Sequence, residues 1–255
     1  MTSSHPLSRR LAGSFDRRTA LRGALAAGAG AVVGPVLLSS SAQAYSWTRT
    51  LKEGDTGADV TELQIRVAGW AADSASQSLV GIDGDFGPIT AAAVRRFQTA
   101  YGVTADGVVA ASTQTQLNAL EQSDGSTLHF NWSEFTDRVS GTFAGGKVTT
   151  AQAKENARRL MYKLEALRKK LGNVPLTVNS GFRSIAHNAD VGGASDSMHL
   201  YGNAADLGAS VSNKTIYQKA ETCGFSGLET YTEDHQHVDS RADMGRAWWW
   251  QDGKI

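Results

Sequence analysis

Apolar side chains fall at helical spacing three times between residues 51 and 120, and turn clusters separate the runs. Val60, Leu63 and Val67 line one face of a helix over Ala58–Val67, entered from the stretch Gly54–Gly57. Thr90, Val94, Phe97 and Tyr101 line a second helix, which follows Asp83-Gly84-Asp85-Phe86-Gly87-Pro88 and stops at Gly102. Asp106-Gly107 marks another turn, and Ser112 is placed to cap a third short helix bearing Leu117 and Leu120. This predicts a small three-helix bundle. The polar run 121–128, EQSDGSTL, reads as a linker.

The pattern changes near His129. Ala157, Leu160, Leu164, Leu167 and Leu171 stripe a long helix, capped at Thr149 or Thr150 and stopped by Gly172. Val174–Val178 favours a strand and ends in the turn residues Asn179-Ser180-Gly181. Ser212 is placed to cap a further helix ending at Gly224, and short strands are expected at Leu207–Ala209, Leu228–Tyr231 and His235–Asp239. Helices segregated from short strands predict an α+β domain with an antiparallel or mixed sheet. The expected organisation is multidomain: a leader over 1–44, an all-α bundle over 45–121, a linker over 122–128 and an α+β domain over 129–255.

Charge distinguishes the first 44 residues from the rest. They hold five arginines, one acid and no lysine, with Arg17 and Arg18 paired, an apolar stretch over Gly23–Leu38, and Ala42-Gln43-Ala44 after it. That order is an export signal of twin-arginine type. Its apolar stretch is too short and too rich in alanine and glycine for a membrane span, so no stable membrane insertion is expected after its removal. The remaining chain carries 20 basic and 24 acidic residues, without the basic excess of a nucleic-acid binder. Cys223 is the single cysteine, at helical spacing with Ile216 and Ala220, which predicts a buried structural thiol.

Candidate chemistry lies in the second unit. His199 and Asp206 stand seven residues apart, and His235 and His237 are separated by one residue. Seven residues of helix rise about 10 Å, too far for two ligands of one ion. Gly202-Asn203 between them permits a tight turn that folds both side chains together. Alternate residues of a strand share a face, so His235 and His237 can both look into one cavity. Two histidines and one carboxylate with an open position form a hydrolytic metal site. Trp248–Trp250 is read as packing an end of the chain onto the core, the alternative being a sugar-stacking platform.

Two resemblances follow from longer motifs. The run DGDFGPITAAAVRRFQTAYGVTADGVVAASTQTQL, with Leu51, Gly54, Gly57, Val60 and Leu63-Gln64 before it, resembles the peptidoglycan-binding domain that accompanies cell-wall hydrolases. Ala110 departs from it, standing where the second D-G-x-x-G repeat has glycine. In the second unit Ser180-Gly181-Phe182-Arg183, Ser197–Asp206 as S-x-H-x-x-G-x-A-x-D, and Asp234–His237 as [ED]-x-x-H occur in order. Together they resemble the zinc D-alanyl-D-alanine carboxypeptidase family, which includes the vancomycin-resistance dipeptidases.

That resemblance implies one Zn²⁺ per chain on His199, Asp206 and His237, with Asp234 as general base and His235 stabilising the tetrahedral intermediate and not binding the metal. Arg183 would anchor a substrate carboxylate, Ser197 would touch substrate or fix its loop, and His187 would be structural or support the site. Asp234 stands where the dipeptidases use glutamate, and on a regular strand it would face away from His237; the strand must therefore begin, or bulge, after it. The implied protein is a secreted, monomeric wall enzyme acting on peptidoglycan stem peptides. A cross-link endopeptidase of the same family and an inactive wall-binding protein are the alternatives. The lysostaphin-like endopeptidases space their first pair as H-x-x-x-D, which His199 and Asp206 do not fit.

Overall fold

The computed structural model describes residues 45–231 and 235–251. The leader over 1–44 and the candidate base Asp234 lie outside the described residues.

The first half consists of α1 (Ala58–Val67), a 3₁₀ turn (Ala68–Trp70), α2 (Pro88–Tyr101) and α3 (Ala111–Asn118). Proline opens α2, where its missing N–H costs nothing, and Gly102 closes it in the left-handed region at φ 71°. Two buried glutamines hold the Asp-Gly turns. Gln64 donates to Asp83 Oδ1 at 2.7 Å and accepts from Gly84 N at 2.8 Å. Gln98 repeats this with Asp106 Oδ1 at 2.9 Å and Gly107 N at 2.8 Å. Ser112 is not the cap of α3: the extended residue that ends the second turn is Ala110, so Ser112 lies inside the first helical turn. Residues 121–128 form a tight turn closed by a Glu121–Thr127 bridge, with Ser126 and Thr127 buried.

The second half adds α4 (Trp132–Phe135), α5 (Thr150–Lys170), β1 (Leu176–Ser180), α6 (Ile185–Asp190), a 3₁₀ turn (Met198–Tyr201), β2 (Ala204–Ala209) and α7 (Asn213–Ala220). After them come β3 (Gly227–Tyr231), β4 (His235–Asp239), a 3₁₀ turn (Arg241–Met244) and β5 (Trp249–Trp250). Thr149 caps α5 and Ser212 caps α7, each accepting from the backbone N–H three residues on. β1 continues through Asn179 and Ser180, expected as a turn, because pairing with β2 carries it on.

The five strands run in the order β1-β2-β4-β3-β5, antiparallel except for β5 beside β3. Val178, Leu207, Leu228 and Val238 turn one face of the sheet into a core with Leu160, Leu164 and Leu167 of α5. Cys223 is buried in that core. Among the described residues no helix is long and apolar enough to cross a membrane.

Helix α5 serves two cores. Its Tyr162 and Ala166 belong to the bundle's apolar cluster with Val60, Leu63 and Phe97. Gly69 lies so close to α5 that a Cβ there would collide with the Ala166 side chain and stand 2.9 Å from Lys163 Cα. Beside this contact Arg66, wholly buried, bonds Glu62 at 2.6 Å and Glu121 at 2.8 Å, while Arg158 of α5 reaches Glu62 at 2.8 Å. Lys170 ties off the end of α5, donating to the carbonyls of Gly69, Ala72 and Thr222.

Asp137 pins the start of α6. Its carboxylate accepts from Ser184 N at 2.7 Å, Ser140 N at 2.8 Å and Val139 N at 2.9 Å, and faces His187 Nδ1 at 3.0 Å. Burial alone would raise its pKa, but the Ser184 and Ser140 N–H groups and His187 outweigh it and hold the carboxyl below its usual range. A carboxyl lowered in the folded state stabilises fully above its unfolded pKa of about 4 and loses that contribution as pH falls below it. Asp137→Asn is expected to cost about 1–3 kcal/mol at neutral pH. It should also flatten the acid limb of thermal stability measured from pH 7 to pH 3.

Candidate metal centre

Sheet register assembles the site. β2 and β4 set Asp206 opposite His237, β1 sets Ser180 opposite Asp206, and β3 sets Glu229 opposite His237. Directly paired residues share a face, so Ser180, Asp206, His237 and Glu229 form one row across the side turned away from the core. Alternation within β4 puts His235, His237 and Asp239 on that side, with Gln236 and Val238 opposite.

His199 enters from the 3₁₀ turn Met198–Tyr201. The turn ends on Gly202 at φ 71°, where any Cβ would also collide with the Ala153 carbonyl of α5. The chain then reverses into β2, bringing Asp206 beneath His199.

The three expected ligands converge. His199 Nε2 lies 3.2 Å from Asp206 Oδ1 and 3.3 Å from His237 Nδ1, and His237 Nδ1 lies 2.9 Å from Asp206 Oδ1. All three side chains are buried. The outer nitrogens show what the inner ones offer. His199 Nδ1 is 2.6 Å from the Gly181 carbonyl, and His237 Nε2 is 3.2 Å from Asp239 Oδ2. Each outer nitrogen donates its proton outward, leaving lone pairs at His199 Nε2 and His237 Nδ1 that face the Asp206 carboxylate.

Three acceptors turned on one another need a cation between them. Bonds of about 2.0–2.1 Å in a tetrahedron place ligand atoms about 3.3 Å apart, close to the separations here. The donor set therefore fits a metal ion.

Electrostatics agree. Burial raises the Asp206 carboxyl, but His199 and His237 more than offset it and hold it far below the usual carboxylate range. Burial pushes His199 down. It also opposes charge on His237, yet Asp206 and Asp239 prevail and raise that imidazole to about 9.

Asp239 is fully buried, and Arg241 holds it through Nη2 at 2.6 Å, Nε at 3.0 Å and its backbone N–H at 2.9 Å. Opposite, Gly227 has no room for a side chain, because a Cβ would run into the Asp239 carboxylate. Asp239→Ala is expected to weaken metal binding about 10–100-fold. Titration with a chromophoric chelator competitor measures this directly.

A family model for peptidase M15 matches residues 128–239, and one for a peptidoglycan binding domain matches residues 56–123. Over 207 residues the chain is 43% identical to a zinc D-Ala-D-Ala carboxypeptidase of Streptomyces albus G, spanning 80% of both proteins. The chain belongs to the peptidase M15 family. A solved Burkholderia AP3 phage endolysin is 25% identical with a TM-score of 0.23, covering 49% of this chain and 38% of that one.

In this M15 chain a groove of about 690 Å³ opens over the cluster. Arg183, Ser197 and His235 are among the residues that line it. Arg183 is engaged on one edge: Nε donates to Ser180 Oγ at 2.9 Å and Nη2 to Asp206 Oδ2 at 2.6 Å. His235 Nε2 stands 3.6 Å from Asp206 Oδ1, outside the tight cluster, with its ring stacked on Tyr231 at 4.8 Å. Ser197 begins the turn that carries His199, its carbonyl accepting from Leu200 N at 3.1 Å. His187 bonds Asp137 and supports α6.

Sequence reading missed Glu229, Tyr231, Asp239, Arg241 and Arg246. The alternation of β3 was the available signal for two of them, since Gly227, Glu229 and Tyr231 fall on the site's side. The tryptophan run divides: Trp250 packs partly against the core, whereas Trp249 is exposed at the groove rim with Arg241 4.8 Å over its ring.

Proposed function

We propose that this chain is a zinc-dependent D-alanyl-D-alanine carboxypeptidase, exported by its leader and acting as a monomer on peptidoglycan stem peptides. The observation that carries this is the convergence of His199, Asp206 and His237 with both outer nitrogens already donated outward. The 43% identity to a zinc D-Ala-D-Ala carboxypeptidase supports the choice of metal and substrate. The match to a peptidoglycan binding domain supports the wall as the place of action.

One Zn²⁺ held by these three side chains supplies a water of lowered pKa and a Lewis acid for the scissile carbonyl. The chain's own residues do the rest. Arg183 uses its Nε edge on Ser180 and Asp206, leaving the fork of Nη1 and the second Nη2 hydrogen for the substrate's terminal carboxylate. His235, steadied by the Tyr231 ring, donates to the charge that develops on the carbonyl oxygen. Asp234 fills the family's acid position and takes the proton from the attacking water before passing it to the leaving amine. Ser197 holds the turn beneath the substrate.

Incubation with a short peptide ending in D-Ala-D-Ala is expected to release D-alanine, and EDTA should stop it. Absence of EDTA-sensitive release would leave a wall-binding protein. Mass spectrometry of digested muropeptides separates loss of one D-alanine from a severed cross-link. Arg183→Ala is expected to abolish cleavage of such short peptides. Full activity in that variant would remove the carboxylate-anchor role.

A further inference from the structure

Three arginines line the groove, and their charges are answered differently. Arg183 bonds Asp206 at 2.6 Å. Arg241 is clamped to buried Asp239, also at 2.6 Å. Arg246 is held by neutral acceptors instead: Nη1 donates to the Asp196 carbonyl at 3.1 Å and Nη2 to Tyr201 Oη at 2.9 Å. Its guanidinium lies 4.8 Å over the Tyr201 ring. Among the described residues the carboxylate paired with it, Asp196, is 4.0 Å away on a side chain 78% exposed to solvent, a pairing worth little. Arg246 is thus fixed in place, and no carboxylate of the described residues pairs with it closer than 4.0 Å.

Its position matters as much as its charge. Tyr201 belongs to the same 3₁₀ turn as His199, and the Arg183 backbone N–H bonds the His199 carbonyl at 3.1 Å. Arg183 and Arg246 therefore both flank the turn that delivers one metal ligand. On the carboxypeptidase reading, Arg183 takes the carboxylate of the departing residue.

Resting on that reading, we infer that Arg246 determines specificity by binding a second carboxylate, carried by the substrate on the acyl side of the scissile bond. A fixed guanidinium held by neutral groups keeps N–H donors for such an anion. The preferred substrate is a peptide with a free acidic side chain upstream of the cleaved amide, and its amidated counterpart is disfavoured.

The test uses two peptides ending in D-Ala-D-Ala that differ only in one acyl-side residue, glutamate or glutamine. The full-length wild-type protein is expected to show a KM about tenfold lower for the acidic peptide, the size of one partly solvated charge-assisted contact. Arg246→Gln should collapse the ratio of the two KM values to about one, through KM and not kcat, and Arg246→Lys should restore part of it. Equal KM values in wild type would overturn the inference. So would an Arg246→Gln variant that raises KM for both peptides alike, since a merely structural role in the Tyr201 turn predicts that. If neither peptide is cut, the carboxypeptidase reading fails separately. Equilibrium binding of the same peptides then decides Arg246: tighter binding of the acidic peptide, lost in Arg246→Gln, upholds the inference, and equal affinities overturn it.

Discussion

Asp206→Ala is expected to abolish D-alanine release and metal retention together. Asp206 is the hub of the centre: Oδ1 faces both His199 Nε2 and His237 Nδ1, and Oδ2 accepts from Arg183. Removing it deletes the only anion among the three converging donors and leaves Arg183 without its closest partner. A metal centre supplies several kcal/mol of transition-state stabilisation, so activity should fall by at least about 10³-fold. Zinc content after gel filtration and D-alanine release read the two losses independently. Retained zinc with lost activity would show that Asp206 acts on substrate and not as a ligand. Asp206→Asn keeps the shape and removes the charge, and should fail nearly as badly.

Gly69→Val is expected to have the largest effect on stability. The 3₁₀ turn that carries Gly69 meets α5 backbone to backbone, and even a methyl group there collides with Ala166. Neither side can yield easily, because α5 is locked on its far face into the sheet core. Overpacking costs about 1–3 kcal/mol, occasionally more, and this site should fall at the upper end. For a chain of this size about 3 kcal/mol lowers Tm by roughly 6–12 °C. Calorimetry should show one transition in the wild type, with both halves melting together. Two transitions in the variant would show that the Gly69 contact is what joins them.

Much of this architecture was legible from residue patterns. The α1 and α2 stripes, the β4 alternation and the caps Thr149 and Ser212 are local signals, and the structure places elements on them. Elements of four to six residues such as α4 and α6 escaped, being too short to show a period. The end of β1 was misread because ladder pairing with β2 overrides the turn preference of Asn179-Ser180. At the site, the family resemblance singled out His199, Asp206 and His237, and their ligand atoms lie close together in the structure. The support of Asp239 by Arg241 was hidden, since a buried ion pair two residues apart looks like an ordinary loop. For Tyr231 and Glu229 the alternation of β3 gave their shared face, but only the register with β4 shows that this face is the site's.

Helix α5 inserts side chains into both apolar cores, with Gly69 packed directly against it. A wall-binding module on a slack tether would let its enzyme sweep a sphere of neighbouring peptides. Here the two halves share a beam, so the arrangement works like a calliper. Once the bundle is seated on peptidoglycan, the groove should reach stem peptides at one set distance and orientation, and digestion of intact wall should leave a regular spacing of untrimmed peptides.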